Sequence, residues 1–351
     1  MIAPDPAKLD VLAPNFKRRF SGVTSTVVRL VPVQARDIAI ASVGPRLPQD
    51  MPQIRLRDLV TMPRSGPSGA RVWHARRNSE MLVGIALKYL LGKRLKLLFT
   101  SAAQRRHTAY TRWLIRRMDA VIATSARSAA WLEREATVIH HGIDTDAFCP
   151  PHDRAALRDR LGLDPDAIIV GCFGRLRAQK GTDLFVEAML RVLPERPEVH
   201  AIIMGGVTAD QESFTAGLQD RITASGLGDR LRILPEDRGF SIAPWFQALD
   251  LYVAPQRWEG FGLTPLEAMS CQMPVVATRV GAFEELVADG ETGVLVDPED
   301  LEGLTAGIVG YLDDAERRRA HGIAARERAV TGFRLQDEAA AINAVYRRLL
   351  G

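Results

Sequence analysis

Little in this sequence points to metal, redox or extracellular chemistry. It has three cysteines in 351 residues. Cys149, Cys172 and Cys271 show no zinc or redox spacing, which excludes a disulfide framework and makes a reducing cytoplasm the expected home. Long apolar runs are missing too. The longest, Met81 to Gly92, is broken by Lys88 and is shorter than the ~20 residues that span a bilayer. The opening residues, MIAPDPAKLD, are acidic and proline-broken where a secretory signal would be basic and then apolar. An integral membrane protein is therefore not expected. Nor is there a zinc spacing, an RNP-like pattern or a helix-turn-helix, so no nucleic acid is expected as a partner. His140 and His141 abut without a third ligand nearby, which disfavours metal binding.

What is present is an ordinary soluble composition, 46% hydrophobic and 25% charged, over a length that predicts two domains. The net charge of +4 conceals an asymmetry. Residues 1–150 hold 24 Lys+Arg and 11 Asp+Glu, a net of +13, and the remainder holds 22 and 31, a net of −9. A basic half suggests an anionic partner, with a phosphorylated lipid or the inner leaflet as the favoured candidate. An arginine-rich chain solvating its helices would give the same numbers.

Short apolar runs alternate with helical patterns along the whole chain, which predicts an α/β doubly wound parallel sheet. Strands are expected at Val11–Pro14, Asp37–Val43, Arg71–His74, Leu95–Thr100, Ala167–Phe173, His200–Met204, Arg230–Leu234 and Pro274–Thr278. Residues 44–70, rich in proline and glycine, read as loop apart from a candidate short strand near Gln53–Leu56. Basic side chains gather at predicted strand ends, at Arg76 and Arg77 and again at Arg105 and Arg106, where open α/β sheets bind ligands. A solvated loop is the alternative.

Two stretches carry chemistry. WEGFGLTPLEAM, residues 258–269, follows the apolar run Leu251–Pro255. Gly260 and Gly262 let its backbone approach a ligand, and Pro265 suits a helix's first turn. Glu259 then stands at a strand end and Glu267 about a turn inside the helix. Two carboxylates framing a glycine loop suit a polyhydroxylated, phosphorylated ligand, although helix-dipole compensation and solvent would account for them equally. In GRLRAQKGT, residues 174–182, the glycines and lysine have neither P-loop nor dinucleotide spacing. The segment does place Arg175 and Lys180 around a strand-to-helix turn. Asp144-Thr145-Asp146 looks like a metal-binding DxD but is expected to be a linker turn.

The Glu-x7-Glu of EGFGLTPLE resembles the signature of the retaining nucleotide-sugar glycosyltransferases of family 4. GRLRAQKG, AIIMGG, DRLRIL, ALDLYVAP, MPVVATRVGAFEELV and DGETGVLVDPED fit that family's pattern in order, and the resemblance covers roughly residues 15 to 345. It implies the GT-B fold, two Rossmann-like domains facing across a cleft. These would be an acceptor-binding domain over 1–149, a nucleotide-sugar domain over 150–333, and a helix over 334–351 crossing back to the first.

The resemblance also implies roles. Arg175 and Lys180 would hold the donor diphosphate beside Gly174 and Gly205, and the strand end at Ile233 would meet the nucleobase through its backbone. Glu259 would accept hydrogen bonds from sugar hydroxyls, with Gly260, Phe261, Gly262 and Leu263 lining the sugar and Glu267 holding the ribose. Gly22 would lie in the first glycine loop, close to the diphosphate. The family usually has two adjacent glycines there; here the pair is Ser21-Gly22, and a tight turn needing Gly22 alone explains it as well. Many members carry a histidine directly after the strand that here ends in Thr100-Ser101. The nearest histidine is His107, for which a partial catalytic role is expected. Arg18, Arg76, Arg77, Arg105 and Arg106 are the candidate acceptor-binding residues. No metal and no cofactor are expected, since the nucleotide sugar is a substrate.

FSGVTSTVVRL, VWHARRNSEML and LFTSAAQRRHT resemble, more narrowly, the lipopolysaccharide core mannosyltransferases of alphaproteobacteria. That resemblance implies GDP-mannose as donor and a Kdo-lipid A acceptor, an anionic glycolipid. It also implies a cytoplasmic enzyme in peripheral contact with the anionic inner face of the inner membrane. Another donor or acceptor, a GT-B sugar-nucleotide epimerase and an anionic-polymer binding protein remain as alternatives.

Overall fold

The computed structural model describes residues 4–17, 22–235 and 242–351. The chain forms two compact units, Met1–Gly142 with Leu335–Gly351, and Ile143–Arg334.

The first unit is built on seven parallel strands: β1 (Val11–Pro14), β2 (Ile40–Val43), β3 (Gln53–Ile54), β4 (Arg71–Ala75), β5 (Leu95–Ser101), β6 (Ala120–Ala123) and β7 (Thr137–Val138). Their order is β3-β2-β1-β4-β5-β6-β7, so the winding reverses between β1 and β4. Val11 pairs with Ile40 on one side and Val72 on the other. Strand side chains alternate between two cores, as the twofold strand period requires. Leu12, Trp73, Leu97 and Phe99 pack with Met81, Leu87 and Leu114 on one face. Val11, Ala13, Val72 and Leu98 pack with Val27, Leu30, Val31 and Tyr346 on the other.

The last helix, Leu335–Leu350, belongs to this unit and packs on the helix Gly22–Gln34. Polar contacts fix its register. Gln34 Nε2 donates to Asn343 Oδ1 at 3.0 Å. The Glu338 carboxylate accepts from the Gly142 amide at 2.7 Å and meets His141 Nδ1 at 2.7 Å. The chain leaves the first unit after Gly142, seven residues before the expected boundary at 149/150. Residues 143–149 pack on the second unit instead. Ile143 N donates to Phe333 O at 2.9 Å, Phe148 lies edge-on to Phe246, and Arg326 donates to the carbonyls of Thr145 and Phe148. Asp144 Oδ1 accepts from the amides of Asp146 and Ala147, which makes this stretch a side-chain-closed turn.

The second unit has six parallel strands: β8 (Ile168–Phe173), β9 (Val199–Met204), β10 (Leu231–Leu234), β11 (Leu251–Ala254), β12 (Val275–Thr278) and β13 (Gly293–Val296). Their order, β10-β9-β8-β11-β12-β13, repeats the first unit's plan, with the reversal between β8 and β11. Both units are thus doubly wound, and their ligand positions lie outside the carboxyl ends of the strands at those reversals. One local expectation changes: a helical turn, Asp58–Thr61, interrupts the predicted 44–70 loop.

Candidate functional site

At the β8–β11 reversal the backbone is crowded enough to dictate its own residues. A Cβ at Gly205, after β9, would lie 1.6 Å from Gly174 O, after β8, so the two turns touch. Beside them is a cavity of about 420 Å³ lined by Leu176, Gly205, Gly206, Val207, Ile233, Leu234 and Pro235. Among the described residues its lining side chains are all apolar, which leaves the polar reading of a ring bound there to their backbone. Tyr252, buried beneath, donates from its hydroxyl to Phe173 O at 2.9 Å and tethers β11 to the end of β8. Burial, foremost, raises its pKa well above the ordinary phenol value, so the hydroxyl stays a donor. Burial also pushes the Cys172 thiol up to about 12, which removes it as a nucleophile at neutral pH.

After Gly174 and the half-buried Arg175, the chain makes a turn, Ala178–Lys180, and enters the helix Thr182–Val192. Gly181 at the junction has φ +68°, and a Cβ there would lie 1.8 Å from Pro255 O. Only glycine lets this turn press against the end of β11. The contact brings two predicted residues together: Lys180 Nζ forms an ion pair with Glu259 Oε2. Their side chains are 21% and 17% exposed, so solvent screens the pair only in part. Glu259 Oε1 also accepts from the Gly260 amide at 2.9 Å, which fixes the carboxylate plane. Phe261 is buried and its carbonyl accepts from Ala282 N, Gly262 packs on the Phe283 ring, and Leu263 packs against the core. Glu267 is half-buried in the helix Thr264–Ser270. The arrangement offers cations, one oriented carboxylate and an apolar slot at the carboxyl ends of the strands of one sheet.

The first unit holds a second cluster at its β1–β4 reversal. Arg77 Nη1 donates to Asn15 Oδ1 at 2.8 Å and to Glu80 Oε1 at 2.7 Å, and its Nη2 donates to Thr24 Oγ1 at 3.1 Å. Glu80 is fully buried and also accepts from the Arg76 amide. Arg76 itself departs from expectation. It alternates with Arg77 at the strand end and so points to the other face. There it is 9% exposed, donating to His74 O beside Tyr346. It is a buried strut under the last helix and not an exposed acceptor contact. Arg105 and Arg106 are exposed after β5, and Gly22 opens its helix, where a Cβ would meet nothing within 4 Å. Arg18 falls outside the described residues.

The position where a histidine was sought is Thr100, near the end of β5, whose Oγ1 lies 2.6 Å from His74 Nε2; His74 Nδ1 lies 2.6 Å from Tyr346 OH. Burial drives the His74 pKa well below the ordinary value, so this link is a neutral one. His107 lies with Arg112, Arg116, Trp131 and Glu133 around a small recess of the first unit. Burial, then Arg105 and Arg112, lowers its pKa. His74 went unnoticed in the sequence because one histidine in an apolar strand carries no motif. Arg257 also went unnoticed. It is the cation two residues before Glu259, and its guanidinium forks onto Asp183 at 2.7 and 2.8 Å.

Comparison with known proteins agrees with this geometry. The family model described as "Glycosyl transferases group 1" matches residues 153–328. The chain is 51% identical to the lipopolysaccharide core biosynthesis mannosyltransferase LpsB of Rhizobium meliloti, over 99% of both chains. It is 52% identical, with the same coverage, to the lipopolysaccharide core biosynthesis mannosyltransferase LpcC of Rhizobium leguminosarum bv. viciae. Among solved structures, Anabaena Alr3699/HepE in complex with UDP superposes with a TM-score of 0.84, covering 97% of this chain and all of the other. At 21% identity that likeness speaks to the fold alone.

Proposed function

The chain belongs to the group 1 glycosyl transferases with the GT-B fold, and from that premise we propose that it moves mannose from GDP-mannose onto a lipopolysaccharide inner-core acceptor with retention of configuration. The observation that carries this reading is Lys180 held against Glu259 at the β8–β11 reversal, in a chain alike end to end to two lipopolysaccharide core mannosyltransferases.

The nucleobase enters the apolar slot at Ile233 and the diphosphate lies across Gly174 and Gly205. Arg175 and Lys180 oppose the charge that builds on the leaving diphosphate, an interaction stronger in the transition state than in the ground state. Glu259 accepts from sugar hydroxyls, and Glu267 from the ribose. A donor phosphate oxygen takes the acceptor's proton, so no separate base is assigned and no metal is needed. His107, kept neutral by its lowered pKa, has an accessory hydrogen-bonding role. Arg77, Arg105 and Arg106 meet the carboxylated, phosphorylated acceptor. Transfer assayed with one nucleotide sugar at a time and a core glycolipid acceptor is expected to proceed with GDP-mannose and to persist in EDTA. Preference for another donor would overturn the mannosyl assignment. Loss in EDTA restored by magnesium would overturn the metal-free mechanism.

The acceptor is a lipid, and we place the membrane contact on the first unit. No helix among the described residues is long and apolar enough to cross a bilayer, so the contact is peripheral. Tyr110, Trp113 and Trp131 are 49%, 39% and 45% exposed, and the Arg117 guanidinium stacks 3.7 Å above the Trp113 ring. Exposed aromatics flanked by Arg112, Arg116 and Arg117 suit an anionic headgroup layer, where each cation near the surface contributes about 1 kcal/mol. Lys93, which with Arg94 and Lys96 reads in the sequence as a further basic cluster, does not contribute, because it is buried and donates to the Val60 and Met62 carbonyls. In sedimentation, the protein is expected to pellet with anionic vesicles and to be released by high salt. Equal pelleting with neutral vesicles would contradict the electrostatic contact.

A further inference from the structure

We propose that Arg257 is a positioning residue for the diphosphate-binding lysine, holding the Lys180 turn against the strand end that carries Glu259. This rests on the reading of Lys180 as a donor-phosphate ligand. The two segments come from loops 79 residues apart in sequence, and Arg257 stitches them at several points. Its backbone amide donates to Gln179 O at 3.0 Å. Its Nη1 donates to Ala178 O. Its Nη1 and Nη2 fork onto the two oxygens of Asp183, at the start of the helix that follows the turn. Its Nε donates to Glu299 Oε1 at 2.8 Å, beyond β13. Gln179 Nε2 reciprocates by donating to Trp258 O at 3.3 Å.

Every residue from Ala178 to Asp183 except Lys180 and Thr182 is thus tied to the Pro255–Trp258 segment by a hydrogen bond or a close packing contact. Lys180 alone projects to Glu259. Most exposed ion pairs contribute little, but this one is bidentate, and the Arg257 and Asp183 side chains are only 26% and 27% exposed. A planar guanidinium can satisfy the carboxylate fork and a carbonyl at once; a lysine ammonium cannot hold that geometry. Arg257 does not line the cavity beside Ile233. Its guanidinium is committed to Ala178, Asp183 and Glu299, so its effect on the ligand is assigned to the placement of Lys180.

The test is titration of the full-length protein with GDP and, separately, with GMP, which lacks the β-phosphate. Arg257→Gln is expected to weaken GDP binding about tenfold and to leave GMP binding within about twofold. Lys180→Ala should weaken GDP binding similarly, and the double variant should bind GDP no more weakly than Lys180→Ala alone. Asp183→Asn, which keeps the arginine but removes half of the fork's charge, should reproduce the selective loss in milder form. It also serves if Arg257→Gln fails to fold. Equal losses for GDP and GMP, or losses that multiply in the double variant, would overturn the proposal by making Arg257 a general structural support. If Lys180→Ala weakens GDP binding but Arg257→Gln and Asp183→Asn do not, the positioning role is refuted and the donor reading stands. If Lys180→Ala binds GDP as the unaltered protein does, the diphosphate reading itself fails, and the positioning role with it.

Discussion

Lys180→Ala and Arg175→Ala are each expected to lower transfer by about 10²- to 10³-fold, the range for removing one preorganised donor to developing charge. The reason lies in where the charge appears. The leaving nucleoside diphosphate gains negative charge as the glycosidic bond opens, beside the carboxyl ends of β8 and β11, where Phe173 and Tyr252 are buried. The ends of β8 and β11 are set by the Gly174–Gly205 and Gly181–Pro255 contacts, which neither side chain makes. Both variants should therefore keep the unfolding midpoint within a few degrees. For Lys180→Ala part of the loss has a second source, since Glu259 is left half-buried without its cation. Near wild-type turnover at saturating donor in either variant would contradict the diphosphate assignment.

Glu259→Gln should separate binding from turnover. The amide keeps the shape of the carboxylate and an oxygen to accept from the Gly260 amide. It gives up the charge that pairs with Lys180. Transfer is expected to fall about 10²-fold or more, because the charged acceptor for sugar hydroxyls is gone. GDP binding should be unchanged or tighter, because Lys180 no longer has a carboxylate competing for it. A loss of GDP affinity in step with turnover would mean that Glu259 supports the crevice as a whole instead of serving the sugar. The pair of variants thus distinguishes the diphosphate end of the site from the sugar end.

The second unit was the more legible from sequence, for a physical reason. Its chemistry sits on two contiguous motifs, GRLRAQKG and EGFGLTPLE, each a strand end, a glycine turn and a helix start. The strand order then brings β8 beside β11 and the two motifs into contact. Strand burial and winding were legible too, because a parallel strand covered on both faces must be a short apolar run such as Val11–Pro14 or Leu251–Ala254. The first unit was harder. Arg76 and Arg77 look alike in sequence, but neighbouring residues at a strand end face opposite sides, and so one is a crevice residue and the other a strut for the last helix. Lys93 reads as part of a basic surface patch, yet its ammonium is spent on two loop carbonyls. The His74–Tyr346 contact joins residues 272 positions apart, and no local pattern announces it. Arg257 was hidden for the same reason: its partners come from two other loops.

The central claim is mannosyl transfer with retention, and the most direct measurement is the structure of the product itself. Purified protein, GDP-mannose and a Kdo-terminated core acceptor should yield a glycolipid whose new mannose linkage is resolved by NMR. The account predicts one added mannose in α linkage, the configuration it has in the donor. A β-linked mannose would contradict the retaining mechanism. No incorporation from GDP-mannose, with transfer from another nucleotide sugar, would contradict the assignment of the donor.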